Sequence, residues 1–514
     1  MFQAKLKYVV CIVFSLICLS PCMAAAQSDL VKRGEYLSHV GDCRGCHTAD
    51  KNKPFAGGRA IESPFGTFYS PNITPDPETG IGNWTEADFK RALHRGLDKE
   101  GDYLYPVMPY VSYTKLMDDD IKALWAYMQS IEPVHNKTPE HDLVFPVDVR
   151  LGLAAWQGIY FEPGRFQPDP GKNKEYNRGA YLVQALGHCS SCHTPRNILL
   201  AQEKDKQFTG AEIHHWYAPD ISSSPRSAIE DWSISQLAMY LKTGETDTNI
   251  KAVGEMHEVI HNSLRYLSDD DIHAMALYLK TMPPPAEKPA LSEESEIPAE
   301  RFAAGRMLYA EYCLGCHQAT GGGSKGAAPA LAGNPSVTAS QPDNAIMAML
   351  QGFAPQEEWG GMPSFAGALN NREIADIANY IRTAWGNNGE PNATASMVNQ
   401  SRGPADMPAE KRDQVVTCPN LPAEILEPAL AAGSGVLKDA SHNRSQLTKL
   451  VSDYRTARQD SSVADIVEAL TTAYCRVVAD EDISYAEKAG RIASFSQQAA
   501  IAALYKEKDS SQTR

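Results

Sequence analysis

Beyond residue 26 the chain has no eighteen-residue apolar run, so nothing in its body reads as a helix that crosses a bilayer. Positive charge is short: 48 Lys and Arg stand against 63 Asp and Glu, a formal charge of −15. That balance argues against a nucleic-acid partner and against electrostatic adhesion to anionic lipid. No G-x-G-x-x-G opens a strand–helix unit. No Ser-His-Asp set or paired-carboxylate cluster can be argued for, so no catalytic residues are assigned. Spare cysteine is also scarce once the 11 present are sorted by position.

Met1–Ala26 reads as a secretory signal, with Lys5 and Lys7 as its charged end, Tyr8–Leu19 as the apolar run and Met23-Ala24-Ala25-Ala26 as the cleavage site. A retained anchor is the alternative, although the run is too short to span comfortably. Cleavage removes two lysines and no acid, so −15 becomes −17, and it removes Cys11, Cys18 and Cys22. Six of the remaining cysteines sit in a repeated motif, which leaves Cys418 and Cys475. In an exported chain these two form a disulfide, or else remain as two buried thiols.

The repeated motif is C-x-x-C-H, at Cys43-Arg44-Gly45-Cys46-His47, Cys189-Ser190-Ser191-Cys192-His193 and Cys313-Leu314-Gly315-Cys316-His317. Chance would place about 0.006 such motifs in a chain of this composition. The motif attaches c-type haem: the two thiols form thioethers to the porphyrin vinyls and the imidazole becomes the proximal iron ligand. A thioredoxin-like site needs a βαβ context that these stretches lack. A zinc knuckle needs its ligand pairs at short range, whereas these motifs lie more than a hundred residues apart.

Each motif has the same surroundings. Arg33-Gly34-Glu35-Tyr36-Leu37, Arg178-Gly179-Ala180-Tyr181-Leu182 and Ala304–Tyr309 read as lead-in helices, with a glycine where another backbone must pass closely. Asp120–Met128, Asp271–Leu279 and Glu373–Ile381 read as closing helices, each with tyrosine six residues after isoleucine. Asp118-Asp119, Ser268 and Asn371 are the candidate N-caps. Two helices crossing beside a haem make a cytochrome c domain, so the chain is predicted to be mainly α, with three such domains in tandem plus a small C-terminal helical appendage. The boundaries are 27–132, 173–282 and 300–388 for the haem domains, 133–172 and 283–299 for proline-rich linkers, and 412–508 for the haem-free appendage, where Val463, Ile466, Val467 and Leu470 form one stripe.

A sixth iron ligand is expected between each motif and its closing helix. The candidates are Met108, Met256 and Met362, each beside glycine or proline in what reads as a loop. Core packing is the competing reading, and His257 and His261 rival Met256. Met117, Met128, Met239 and Met275 fall on helical stripes and read as packing residues. In the third domain Pro329 stands where a carbonyl would accept the other imidazole N–H of His317. The first two domains have Tyr69-Ser70-Pro71-Asn72-Ile73-Thr74 and Tyr217-Ala218-Pro219-Asp220-Ile221-Ser222 there instead, expected to line the pocket.

Phe65-Gly66-Thr67, Asn72–Asp76, Gly80-Ile81-Gly82-Asn83-Trp84, Leu104–Tyr110 and Asn177–Asn197 together resemble the tri-haem cytochrome c subunits of bacterial membrane-bound dehydrogenases. These subunits serve quinoprotein alcohol dehydrogenase and flavoprotein gluconate, sorbitol and fructose dehydrogenases. The resemblance covers about Asp29 to Trp385 and leaves the appendage aside. It implies three covalent haems c and a periplasmic location on the outer face of the inner membrane. It also implies transfer of electrons from a separate dehydrogenase (of PQQ, flavin or molybdenum type) to ubiquinone, with no catalysis by the chain alone. A soluble shuttle to an oxidase and a self-contained periplasmic peroxidase are the alternatives. Peripheral membrane contact falls to the apolar run from Val144-Phe145 through Trp156, Ile159, Tyr160 and Phe161, which could equally staple domain one to domain two.

Overall fold

The computed structural model describes residues 27–285, 297–354, 360–402 and most of 418–503, apart from isolated positions such as 146, 198, 214 and 226. The expected signal, residues 1–26, and most of the 283–299 linker lie outside the described residues. The architecture is mainly helical. Its only sheets among the described residues are the hairpin Ala60–Ser63/Gly66–Tyr69, joined by Asp142–Leu143 from the first linker, and the hairpin Ala211–Ile213/Trp216–Ala218.

The three units that carry the C-x-x-C-H motif share one crossing. A lead-in helix over 27–40 packs on Asp118–Met128, Lys174–Tyr181 packs on Asp269–Thr281, and Ala299–Tyr312 packs on Asn371–Thr383. The glycines stand where the helices touch. A Cβ on Gly34, Gly179 or Gly305 would overlap the carbonyl oxygen of Ala123, Ala274 or Asp376, and each glycine also abuts the Cβ of Tyr127, Tyr278 or Tyr380. These are the three tyrosines that follow isoleucine by six, so glycine and tyrosine form one contact per unit. Valine at any of the three glycines is expected to cost about 3 kcal/mol, the upper range for overpacking, because backbone rather than a movable side chain stands in the way. Gly152→Ala, in open space on a helix, should be neutral or slightly stabilising. Thermal unfolding of the holoprotein distinguishes the two cases.

The second lead-in has one residue more between its glycine and its first cysteine than the first lead-in does. The surplus is housed in a π-turn over Leu182–Leu186, all but Gln184 buried. Arg33 binds Asp120 at 2.9 Å and Arg178 binds Asp271 at 2.7 and 2.6 Å, tying each lead-in to its closing helix; Arg301 pairs with Asp376 in the third unit.

Helix starts differ from expectation by small shifts. Ser268 does cap its helix through the Asp271 amide. The third cap is Asn370, with a capping box to Glu373, and Asn371 is already inside the helix. The first closing helix begins at Asp118 with no side-chain cap; three aspartates instead face its positive end. Met128 and Met275 are buried as packing residues, but Met117 and Met239 are 40% and 42% exposed, on the solvent side of their segments. The first linker is no free spacer, since between its prolines Leu151–Tyr160 forms a helix.

The units pack in pairs. One hydrophobic core runs through the first and second haem units, including Leu37, Leu116, Ile121, Leu186, Ile272 and Leu279. A second core joins the third unit to the appendage, including Tyr309, Ile377, Leu447, Ile466, Leu470 and Phe495. Within the first pair the contacts are reciprocal. The Tyr36 hydroxyl donates to Asp271 at 2.6 Å, and the Tyr181 hydroxyl donates to Asp120 at 2.5 Å. Each tyrosine oxygen in turn accepts a backbone N–H from the opposite unit, Ser268 and Met117, both at 3.1 Å.

Candidate haem centres

Each motif forms a single helical turn closed by the same bond. The amide of His47, His193 or His317 donates to the carbonyl of Cys43, Cys189 or Cys313 at 2.9, 3.0 and 2.9 Å. That turn brings both thiols and the imidazole to one side of the backbone. Each imidazole Nδ1 then meets a proline carbonyl: His47 to Pro71 at 2.8 Å, His193 to Pro219 at 2.7 Å, His317 to Pro329 at 3.0 Å. The bond holds Nδ1 as the protonated nitrogen and leaves Nε2 for a metal. Burial lowers the pKa of all three rings and the carbonyl bond opposes it, so the neutral form a ligand requires is favoured.

Pro329 was legible from its position twelve residues past His317. Pro71 and Pro219 do more than line the pocket, and their spacing hides it, because the hairpin inserted in the first two units carries them to 24 and 26 residues from their histidines. The carbonyl partner is therefore common to all three units.

The methionines occupy different local structures. Met362 sits opposite Phe353 in a two-way backbone bridge at 2.9 and 2.8 Å, and lines the same cavity as Cys313, Cys316, His317 and Pro329. Phe365, Ile377 and Ile381 give that cavity apolar walls, which fits a flat, largely apolar macrocycle held between an imidazole and a thioether. Met108 lies in a turn just before Tyr110–Tyr113 and packs against the core shared by the first two units, as do Cys189 and Met256. Met256 is not in a loop. It lies in the first turn of the helix Gly254–Asn262, because the left-handed Gly254 (φ +58°) marks a helix start and nothing in Glu255–Ile260 interrupts the helix. His261 Nδ1 accepts from Arg265 at 2.8 Å and its ring stacks on His257 at 5.9 Å.

Several residues that sequence reasoning did not single out connect the centres. Arg59 donates to the Gly45 carbonyl inside the first motif at 2.9 Å and to Glu258, on the helix carrying Met256, at 2.8 Å. His188, next to Cys189, lies 3.3 Å from the carbonyl of Gly41, which also accepts from the Tyr113 hydroxyl. The first and second motifs are thus neighbours. From the second unit, Asn249, in a left-handed conformation (φ +63°), donates to the Gly322 and Ala328 carbonyls and accepts from the Ala330 amide at 2.8 Å, bracketing Pro329. The second unit therefore touches the attachment region of both others. A lone Arg or Asn carries no sequence signal for such a role, since its partners are far away in the chain.

Cys418 and Cys475 are joined as a disulfide, which ties the start of the appendage to the helix Val463–Ala479. The apolar run from Val144 to Phe161 both bridges the first two units and carries exposed apolar side chains. Gln157 donates to the Arg95 carbonyl in the first unit and Trp156 to the Leu199 carbonyl in the second, so the helix does staple the pair. Yet Phe145 is 80% exposed and Ile159 71%, with Val144, Val149 and Leu199 about half exposed beside them. No helix among the described residues is long and apolar enough to cross a membrane.

The cytochrome c family model matches residues 31–132 and 302–385, and the second attachment motif lies between the two matched stretches. The cytochrome c subunit of alcohol dehydrogenase (quinone) from Gluconacetobacter polyoxogenes is 37% identical over 399 residues, 73% of this chain and 85% of that one. The fructose dehydrogenase cytochrome subunit of Gluconobacter japonicus is 38% identical over 412 residues, 74% and 84% of the two chains. The gluconate 2-dehydrogenase cytochrome c subunit of Pantoea cypripedii is 37% identical over 397 residues, 73% and 89%.

Proposed function

This chain belongs to the family of cytochrome c subunits that includes those three relatives, and we propose that it carries three covalent haems c between a partner dehydrogenase and ubiquinone on the periplasmic side of the membrane. Its role is electron transfer. Bound haem supplies the one-electron chemistry, and the chain supplies attachment, ligands, burial and order. The observation that carries the reading is the threefold recurrence of a histidine, closing a C-x-x-C turn, whose Nδ1 is tied to a proline carbonyl. His47, His193 and His317 would each supply an imidazole ligand to a bound haem, and Met108, Met256 and Met362 would supply the thioether ligands. The contacts at Gly41, Arg59 and Asn249 support a route for electrons in which the second unit stands between the other two.

The partner oxidises a small alcohol, sugar or sugar acid, as the names of the relatives suggest. A chain with a formal charge of −15, or −17 without the signal, holds to a bilayer through apolar rather than ionic contact. The exposed Phe145 and Ile159 are the side chains for it. Washing membranes with high salt should leave the protein bound, and mild detergent should release it with a dehydrogenase subunit that reduces a ubiquinone analogue when given substrate. Phe145→Glu with Ile159→Glu should move most of the complex into the soluble fraction. Recovery of the unaltered chain free and alone in a periplasmic extract would replace the quinone-linked role with that of a soluble shuttle.

A further inference from the structure

The third haem cavity is not closed by its own unit. Beyond His317 and Met362 it is lined by Glu468, Thr471, Thr472 and Cys475 on the helix Val463–Ala479, and by Ile492 and Ser496 further along the appendage. Val253 of the second unit adds a third side.

Three of those side chains are unusual. The hydroxyls of Thr471, Thr472 and Ser496 are buried with no hydrogen-bond partner among the described residues, and the residues are 7%, 1% and 6% exposed. A buried hydroxyl left unpaired costs about 1–3 kcal/mol. Three clustered at one cavity point to acceptors inside it, which a haem supplies through its propionates and thioether sulfurs, directly or through ordered water.

The attachment motif itself touches the same wall. A Cβ on Gly315 would fall on the Ser496 hydroxyl, so the small residue between Cys313 and Cys316 makes room for the appendage. Gln318, directly after His317, reaches Glu468 at 3.5 Å. The wall is braced from behind. Tyr474 stacks on Phe495 at 4.2 Å, and Cys475 is held by the disulfide to Cys418.

We infer that the appended helical domain is the outer wall of the third haem site, and that Thr471, Thr472 and Ser496 are positioning residues for that haem alone. Among the described residues the first two units have no counterpart to this wall. The appendage therefore sets the third potential separately from the others and shields that haem from direct contact with an outside redox partner. This rests on the tri-haem reading above, and the test separates the two.

Spectroelectrochemical titration of the full-length holoprotein resolves the midpoints of its haems, with the haem count taken by pyridine haemochrome. Thr471→Val with Thr472→Val removes two polar groups at nearly constant shape. With two donated hydrogen bonds to the acceptors on that haem gone, it should favour the ferric state of one haem, changing its reduction equilibrium at least threefold and leaving the other two unmoved. Gly315→Ala should shift the same haem, and adding Ser496→Gly should bring it back. Three intact low-spin haems with no midpoint moved in either variant would overturn the inference. A haem count below three in the unaltered protein would instead overturn the function from which it starts.

Discussion

Met362→Ala is expected to turn one of three low-spin haems into a high-spin centre and to lower its midpoint by something on the order of 0.1 V, a modest part of the ~0.8 V that axial ligands span. Methionine sulfur favours ferrous iron, so removing it stabilises the ferric state. The effect should be confined to one centre because Met362 is fixed by its backbone bridge to Phe353 and shares a cavity with His317 and no other attachment motif. Met108→Ala should do the same to a second centre. Met256→Ala is the more searching variant, because its place in the first turn of a helix gives it less freedom than a loop would. Electron paramagnetic resonance of the oxidised protein counts the high-spin centres. A spectrum unchanged by any one substitution would remove that methionine from the ligand set.

Replacing Cys418 and Cys475 together by serine should destabilise the appendage by about 4 kcal/mol, the chain-entropy value for a loop closed across 57 residues. Denaturant titration should show the loss in the transition to which the third unit contributes, with the first two units unaffected. Alkylation of the unreduced, unaltered chain should find no free thiol. Two labelled cysteines would show that the bond does not form.

How much of this could be read beforehand depended on how local the chemistry is. The attachment motif is contiguous, so its cysteines and histidines were legible at once, and the flanking helices followed from their repetition. The glycines could be placed at a crossing because only a close approach explains glycine at one site in three helices. Tyrosine at a fixed spacing gave the same information without its reason, which is that Tyr127, Tyr278 and Tyr380 lie on those glycines. The carbonyls of Pro71 and Pro219 were hidden because a backbone acceptor has no residue identity and the inserted hairpins change its distance along the chain. Met256 was misplaced because one glycine can open a helix as readily as it can interrupt one. Arg59, Asn249 and the wall at Thr471 and Thr472 act across domain boundaries, where a single sequence carries no pattern.

The reciprocal tyrosines bear on how the molecule comes apart. Asp120 is held by its own Arg33 and by Tyr181 of the next unit, and Asp271 by its own Arg178 and by Tyr36. Neither closing helix can leave its lead-in without also breaking the neighbour's contact, and the two share one core. The third unit and the appendage share the other core. Four domains by sequence are therefore two cooperative blocks by energy. Heating should melt the holoprotein in two calorimetric steps, each taking two domains with it, and a lesion in any one domain should lower the step of its pair.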